Sequence, residues 1–259
     1  MASDSATNDL SKTITVYGRN AVFEALSDRQ LECQRLHWAT SNRQGPATAR
    51  ILSAAAAREV PIREHSRATL ARISRNGKQD QGVALDIVCR TFSTPASLLA
   101  RLNATPMTII AMDGITNPQN VGMLIRSAAA AGADGIIYPR KGVASLGPLV
   151  IKASAGALFN APIVPCDLLK PTLETLQEAG AEIIVLDGGA RETVFDYTPN
   201  RSTVFVLGGE TSGVSESVSA LANRHLAIPL HNGVESLNVA VAGALVCYHG
   251  MRGASGNTV

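Results

Sequence analysis

The sequence predicts an α/β protein in two parts: a C-terminal domain built on a parallel sheet, and a small α/β domain before it. Three observations carry this. From residue 107 onward, continuous apolar runs recur between helical stretches, the pattern of strands buried on both faces by helices. Before that point the strands are shorter and mixed with charge. Charge also divides the chain: residues 12–95 hold 13 Lys and Arg against 7 Asp and Glu, a net +6, whereas residues 96–259 hold 10 against 12, a net −2. A basic first part beside a near-neutral remainder suggests a module that meets a polyanion, joined to one with another task.

The opening "MASDSATNDLSK" has no basic-then-apolar order of a secretory signal, and residues 1–11 are expected to form a disordered tail. The first domain is expected over 12–90. Within it "NAVFEAL" has a helical pattern, "RLHWAT" and "VPIRE" resemble strands, and "PATARILSAAAARE" is a helix opened by Pro46. The stretch "SRATLARISRNGKQDQG" is the densest positive run in the chain and is taken as a basic loop, with Arg67, Arg72, Arg75 and Lys78 its candidates for RNA-backbone contact. Turn and cap residues around one short helix in "TFSTPASLLARLNATP" put the junction there, as a linker over 91–106. The second domain, 107–259, carries the apolar runs "MTIIAMD", "DGIIYP", "APIVP", "AEIIVLD", "TVFVLGG" and "HLAIPL".

Several function classes are disfavoured. No GxGxxG follows the first strand, and neither a P-loop nor a GxSxG nucleophile turn is present. No apolar run reads as a lipid-facing span. The four cysteines, Cys33, Cys89, Cys166 and Cys247, form no CxxC pair, so they are expected to be buried thiols in a reducing cytoplasm, with no metal.

Three polar interruptions break the apolar pattern of the second domain. In "DGITNPQNVGMLIRSAAAAGA" Asn117 can cap a helix that Pro118 opens, and Arg126 is the only charge between Asp113 and Asp134. Gly122, one turn earlier, is expected to leave that guanidinium over bare surface; a surface arginine covering apolar atoms is the plainer reading. In "FVLGGETSGVS" a buried strand ends at Gly208 and Gly209, followed by Glu210. Ligands of open parallel sheets gather at such strand ends, and paired glycines let a ligand approach the backbone; a tight turn would look the same. In "IPLHNGVESLNVAVAGAL" Ser236 is expected to cap a helix starting near Leu237, which leaves Asn238 without a purely local explanation.

In order and spacing these three stretches resemble the SpoU, or TrmH, family of RNA ribose 2′-O-methyltransferases. The resemblance rests on Asn120, Gly122 and Arg126, then on Gly208, Glu210 and Gly213, then on Ile228, Pro229 and Ser236 to Val239. It covers residues 107–250, and "VYGRNAVFEAL" to "DQGVALDI" looks like the small substrate-binding domain of many members. Leu230, Gly209 and Ala240 depart from the residues common at those places, and the glycine of "HNGVES" sits one place late. The resemblance implies a trefoil-knotted catalytic domain that binds S-adenosylmethionine, a homodimer with its site near the subunit boundary, and structured RNA as substrate, ribosomal in preference to transfer RNA. It implies cofactor positions at Leu207, Gly208, Gly209, Ile228, Leu230 and Leu237, and catalytic ones at Asn120, Arg126, Glu210, Ser236 and Asn238. A catalytically silent RNA-binding or ribosome-assembly protein of the same fold, and a small-molecule methyltransferase, are the alternatives.

Overall fold

The computed structural model describes residues 12–102 and 104–254, with side chains through 250; the tail expected at 1–11 lies outside the described residues. The chain divides into two compact units, with the break between Arg90 and Thr91.

The first unit is β1 (Thr13–Tyr17), α1 (Arg19–Ser27), β2 (Glu32–Ala39), α2 (Pro46–Ala57), β3 (Ile62–His65), α3 (Arg67–Ser74) and β4 (Val83–Val88). Its sheet runs β1-β4-β2-β3, antiparallel except for β3 beside β2. Side chains alternate across a strand, so Ile14, Val16, Leu36, Leu85 and Ile87 share one buried face. On the other face a polar chain crosses all four strands. Thr15 Oγ1 donates to Asp86 Oδ1 at 2.7 Å, His37 Nε2 lies 2.8 Å from Asp86 Oδ2, and His37 Nδ1 lies 2.9 Å from His65 Nε2. An ionised Asp86 only accepts, so His37 donates to it from Nε2.

The basic run differs from the expected loop. Ser66 Oγ accepts from the Thr69 amide at 3.2 Å, which caps α3 and makes Arg67 and Arg72 helical; Arg75 ends the helix in a left-handed conformation, φ 54°. Arg67 is partly engaged within the protein, 3.1 Å from the buried Asp80 carboxylate.

The second unit holds β5 (Thr108–Asp113), β6 (Gly135–Pro139), β7 (Ile163–Cys166), β8 (Glu182–Leu186), β9 (Glu192–Thr193), β10 (Thr203–Gly208) and β11 (Arg224–Ala227). All seven strands are parallel, in the order β7-β6-β5-β10-β8-β11-β9. Helices α4 (Pro95–Arg101), α7 (Leu169–Glu178) and α8 (Glu216–Ser219) send Leu98, Leu173, Leu176 and Val218 into one core cluster with Ile109, Ile137, Ile183 and Val206. The segment expected as a linker therefore carries a helix packed on this sheet. Helices α5 (Pro118–Ala130) and α9 (Val239–Ala254) cover part of the opposite face, where Gly243 of α9 meets Leu124 and Leu207. A further helix, α6 (Pro148–Ala153), packs on α5.

Gly122 is at that last contact, and the expectation of bare surface beneath Arg126 is wrong. Gly122 is buried, and a Cβ there would stand 2.5 Å from Ala153 Cβ and 2.6 Å from the Val150 carbonyl. The glycine lets two helices approach; it exposes nothing.

All four cysteines are unpaired thiols, three of them buried, and burial pushes Cys89 and Cys247 up to about 12, which keeps them protonated and unreactive. Among the described residues no helix is long and apolar enough to cross a membrane, and no cluster of three or more His, Cys, Asp or Glu is placed to hold a metal ion.

Candidate active site

The chain runs outward from β5 through β6 to β7, then crosses back, and β10 enters between β5 and β8. The carboxyl ends of β5 and β10 therefore lie side by side where the winding reverses, the place at which open parallel sheets bind ligands. Three segments meet there.

The first is the start of α5. Asn117 Oδ1 accepts from the Gln119 amide at 2.9 Å and Pro118 takes the first helical position, as the Asn-Pro pair predicts. This start directs Asn120 inward, where it is 3 % exposed despite being polar. The second is the turn after β10, which carries Glu210. The third is the start of α9. Here the capping assignment is corrected: Asn238, and not Ser236, is the cap. Its Oδ1 accepts from Ala240 N at 2.9 Å and Val241 N at 3.4 Å, and its carbonyl accepts from Ala242 N at 3.0 Å. Ser236 is exposed and precedes the helix by three residues.

These three side chains close into one network. Asn120 Nδ2 donates to Glu210 Oε1 at 2.7 Å, and Asn238 Nδ2 donates to the same oxygen and to Asn120 Oδ1, each at 3.0 Å. The orientation of both amides follows from the cap. Asn238 must present its oxygen to the helix amides, so its nitrogen faces Asn120 and Glu210; Asn120 must then turn its oxygen to Asn238 and its nitrogen to the carboxylate. The buried Asn120 amide is thereby satisfied, and Glu210 sits at the positive ends of α5 and α9, which favour a negative charge.

The turn itself is held by close backbone approach. A Cβ on Gly208 would stand 2.1 Å from Gly213 C, and one on Gly209 would stand 2.4 Å from the Gly114 carbonyl. The chain's own loops therefore require these glycines, as the tight-turn alternative has it. Asp113, the last residue of β5, fixes the far side of the turn by accepting from Ser215 N at 2.7 Å. Sequence reasoning missed Asp113 as a site residue; its signal is an acid ending the apolar run "TIIAMD" at a sheet's carboxyl edge.

The other candidates divide. Leu207 is buried, with its side chain turned to the core at Gly243, so only its backbone faces the strand ends. The last strand stops at Ala227, short of the expected "HLAIPL", which leaves Ile228 and Leu230 half-buried in the following segment with Leu237. That segment begins beyond β11 and returns to Glu210, so it passes over the carboxyl end of β8. Arg126 is not brought to the network within one chain. It follows Asn120 by six residues, roughly 240° around the helix, and stands on the exposed side of α5 with Met123. It makes no hydrogen bond or ion pair among the described residues. Arg72 and Lys78 are exposed at the unit's surface, and Arg75 with them.

Comparison with known proteins agrees with this layout. Residues 107–248 match the SpoU rRNA Methylase family, and residues 15–89 match the domain described as RNA 2′-O ribose methyltransferase substrate binding. An uncharacterised tRNA/rRNA methyltransferase of Mycolicibacterium gilvum (strain PYR-GCK) is 32% identical over 236 residues, 90% of this chain and 74% of that protein. Among solved structures, the SpoU methyltransferase AviRb of Streptomyces viridochromogenes, in complex with AdoMet, shares the fold with a TM-score of 0.61 at 21% identity, over 96% of this chain and 92% of its own. An AdoMet-bound rRNA methyltransferase of Sinorhizobium meliloti gives 0.59 at 21% identity, over 93% and 88%. With the family's sequence pattern spread over α5, the β10 turn and α9, and those three places hydrogen-bonded together beyond the strand ends, the chain belongs to the SpoU rRNA methylase family.

Proposed function

We propose that the protein transfers a methyl group from S-adenosylmethionine to a ribose 2′-hydroxyl of structured RNA, ribosomal in preference to transfer RNA. It does so in the cytoplasm, as a homodimer whose C-terminal domain is threaded as a trefoil knot. The observation that carries the reading is the closed network of Asn120, Glu210 and Asn238, three residues of the family pattern that are distant in sequence and bonded in space. The matched family's description supports the ribosomal preference, and that of the domain over 15–89 supports the ribose 2′-hydroxyl.

The residues fit the cofactor. Ile228, Leu230 and Leu237 offer half-buried apolar surface, Leu207, Gly208 and Gly209 offer backbone groups, and open space lies over Gly213 and Gly233. The Glu210 carboxylate complements a positive sulfonium. When bound, S-adenosylmethionine supplies an electrophilic methyl group whose sulfur loses its charge on transfer.

The protein's own groups then have two tasks. Asn120 and Asn238, held by Glu210, fix the α5 and α9 starts and so the crevice in which donor and ribose are aligned; such positioning supplies much of the acceleration. The 2′-hydroxyl must also lose a proton. A guanidinium does not deprotonate in a protein, so Arg126 acts by gripping the neighbouring phosphate or stabilising the developing oxyanion. Glu210 Oε2, which has no protein partner among the described residues, is the group able to take the proton. Ser236, exposed before α9, lines the ribose side.

The dimer supplies what one chain lacks. Met123 on α5 and Val241, Leu245 and Tyr248 on α9 are large apolar side chains left exposed on two helices that pack together. Val241, Leu245 and Tyr248 follow i, i+4, i+7 spacing, the stripe of a helix that buries one face. Arg126 shares the exposed side of α5 with Met123, so a second copy seated on this surface brings its Arg126 toward the first copy's crevice. In the test, Arg126→Ala abolishes methyl transfer to ribosomal RNA while calorimetry shows S-adenosylmethionine binding unchanged, and Arg126→Lys restores little because a point charge cannot replace the bidentate fork. Substantial transfer by Arg126→Ala would refute the assignment.

A further inference from the structure

The first unit contains a cleft of about 510 Å³ whose lining takes in only Arg67 of the four cations singled out in the basic run. Arg19, Arg43 and Arg67 line it with Asn42, Gln44 and Gln81, and none of its lining residues is acidic or aromatic. We propose that this cleft grips the sugar-phosphate backbone of the substrate RNA, so that Arg19, Arg43 and Arg67, and not the run from Arg72 to Lys78, form the principal RNA contact of this unit. The proposal rests on the RNA-methylating function above.

The charges come from three separate places. Arg19 opens α1, Arg67 opens α3, and Arg43 lies just before α2, so three short-range features of the chain converge on one cavity. Each guanidinium keeps donors to spare. Arg43 makes no side-chain hydrogen bond or ion pair among the described residues. Arg19 is anchored by its Nε to the Gln81 carbonyl at 3.3 Å and by its backbone amide to Gln81 Oε1 at 3.0 Å, which leaves its terminal nitrogens free. Arg67 uses one terminal nitrogen on Asp80 Oδ1 and the Gly77 carbonyl, 3.1 and 3.3 Å away, and retains Nε and the other.

The floor is held in place before any ligand arrives. Asn42 Nδ2 donates to the Gly82 carbonyl at 2.8 Å, and α2 begins at the cleft with Gly45 as its N-cap, which brings no side-chain cap of its own. Cations at fixed positions around a preformed cavity match phosphate oxygens, and a cavity of this size is within the roughly 300–1,000 Å³ range of small-ligand sites. Its lining of guanidiniums and amides, with no aromatic ring, suits phosphate and ribose oxygens best, in keeping with reading by shape and backbone contact.

The experiment measures binding of the full-length protein to ribosomal RNA extracted from cells that lack it, across a salt series. Each phosphate contact contributes roughly 0.7–0.9 to the slope of log affinity against log salt. Arg43→Ala is expected to weaken binding several-fold and lower the slope by about one contact, Arg19→Ala/Arg43→Ala by about two. Arg43→Lys is expected to keep most of the slope. The single Arg43 variant decides even where Arg19→Ala loosens the fold, because the Arg43 side chain supports nothing else. An unchanged slope in the Arg19/Arg43 variant overturns the proposal, as does a larger fall in an Arg72→Ala/Lys78→Ala variant. Uridine 5′-monophosphate is titrated in parallel; micromolar binding that Arg43→Ala abolishes, with the RNA slope intact, would make this a free-nucleotide site and also overturn it. Methyl transfer by the wild type to the same RNA is scored separately. Its absence sinks the methyltransferase reading and leaves the slopes to judge the cleft.

Discussion

Asn238 does two things at once. Its oxygen ends the α9 helix and its nitrogen ties that helix to Asn120 and Glu210. A cap alone contributes about 0.5–2 kcal/mol and tolerates Ser, Thr or Asp; a hydroxyl has a single proton and a carboxylate none, so only an amide can cap and also donate to both Glu210 and Asn120. The same reasoning separates structure from chemistry at Glu210. Gln in its place keeps a carbonyl oxygen for both amide donors and removes the charge. Glu210→Gln is therefore expected to shift the melting temperature by less than about 3 °C, and to slow methyl transfer at least roughly tenfold. A variant that melts early yet transfers at the normal rate would reduce Glu210 to a strut. The sequence made these three polar residues conspicuous, because each interrupts an apolar run. It could not separate Ser236 from Asn238 as the cap, since either oxygen suits a helix start and only the position of the first helical turn decides. Nor could it show why Gly122, Gly208 and Gly209 are glycines: the atoms that exclude a Cβ there belong to residues near in space and, for Gly122 and Gly209, far along the chain.

Among the elements, the central strands were the most legible, because β5, β6, β8 and β10 are buried on both faces and read as unbroken apolar runs. Less was visible where side-chain contacts override local pattern. The basic run holds α3, whose arginines mask a helix with Leu70 on its buried side, and the two-residue β9 has no signature at all. The polar chain on the first sheet is a consequence of pairing that no periodicity reveals, and it gives that sheet a pH dependence. Burial lowers the His65 pKa below its ordinary value, helped by His37, Arg35 and Arg63 nearby, with Asp86 opposing. For Asp86, burial pushes upward, but the hydrogen bonds from His37 and Thr15, and the charges of His37 and Arg35, win and hold it low. The fold thus prefers neutral His65 and ionised Asp86. Both contributions are full above the ordinary values and are lost on acidification, the histidine's share from about pH 6.5 downward and the carboxylate's from about pH 4. Trp38, the chain's single tryptophan, is on β2 next to His37 and reports on this sheet. Its fluorescence in urea is expected to show an unfolding midpoint that falls between about pH 7.5 and 5.5. The fall shrinks in His65→Gln. A midpoint level across that interval would remove the histidine from the account.

At the scale of the whole molecule the decisive matter is whose arginine serves which crevice. Arg126 and Asn120 point to different sides of the same helix, so a site complete in one chain would need α5 to be turned or the arginine to fold back over it. A site shared between two copies needs neither. The two arrangements differ in a way that mixing can expose. In the proposed homodimer, Arg126→Ala and Asn238→Ala are each expected to be inactive. When the two are unfolded together and refolded, half the dimers formed at random are mixed, and closed two-fold symmetry gives each mixed dimer two sites. If Arg126 acts across the boundary, one of those sites carries both lesions and the other carries none, so activity recovers to roughly a quarter of wild type. If Arg126 acts within its own chain, every site in a mixed dimer keeps one lesion and the mixture stays inactive. Leu245→Lys, which sets a charge in the exposed stripe of α9, supplies the control. It is expected to shift the protein to monomer in sizing experiments and to prevent recovery when built into both chains, because the arginine then has no neighbour to serve. Recovery to a quarter with the stripe intact, and none with it broken, ties the apolar surface, the lone guanidinium and the three-residue network into one catalytic unit. Silence in both mixtures returns Arg126 to its own chain.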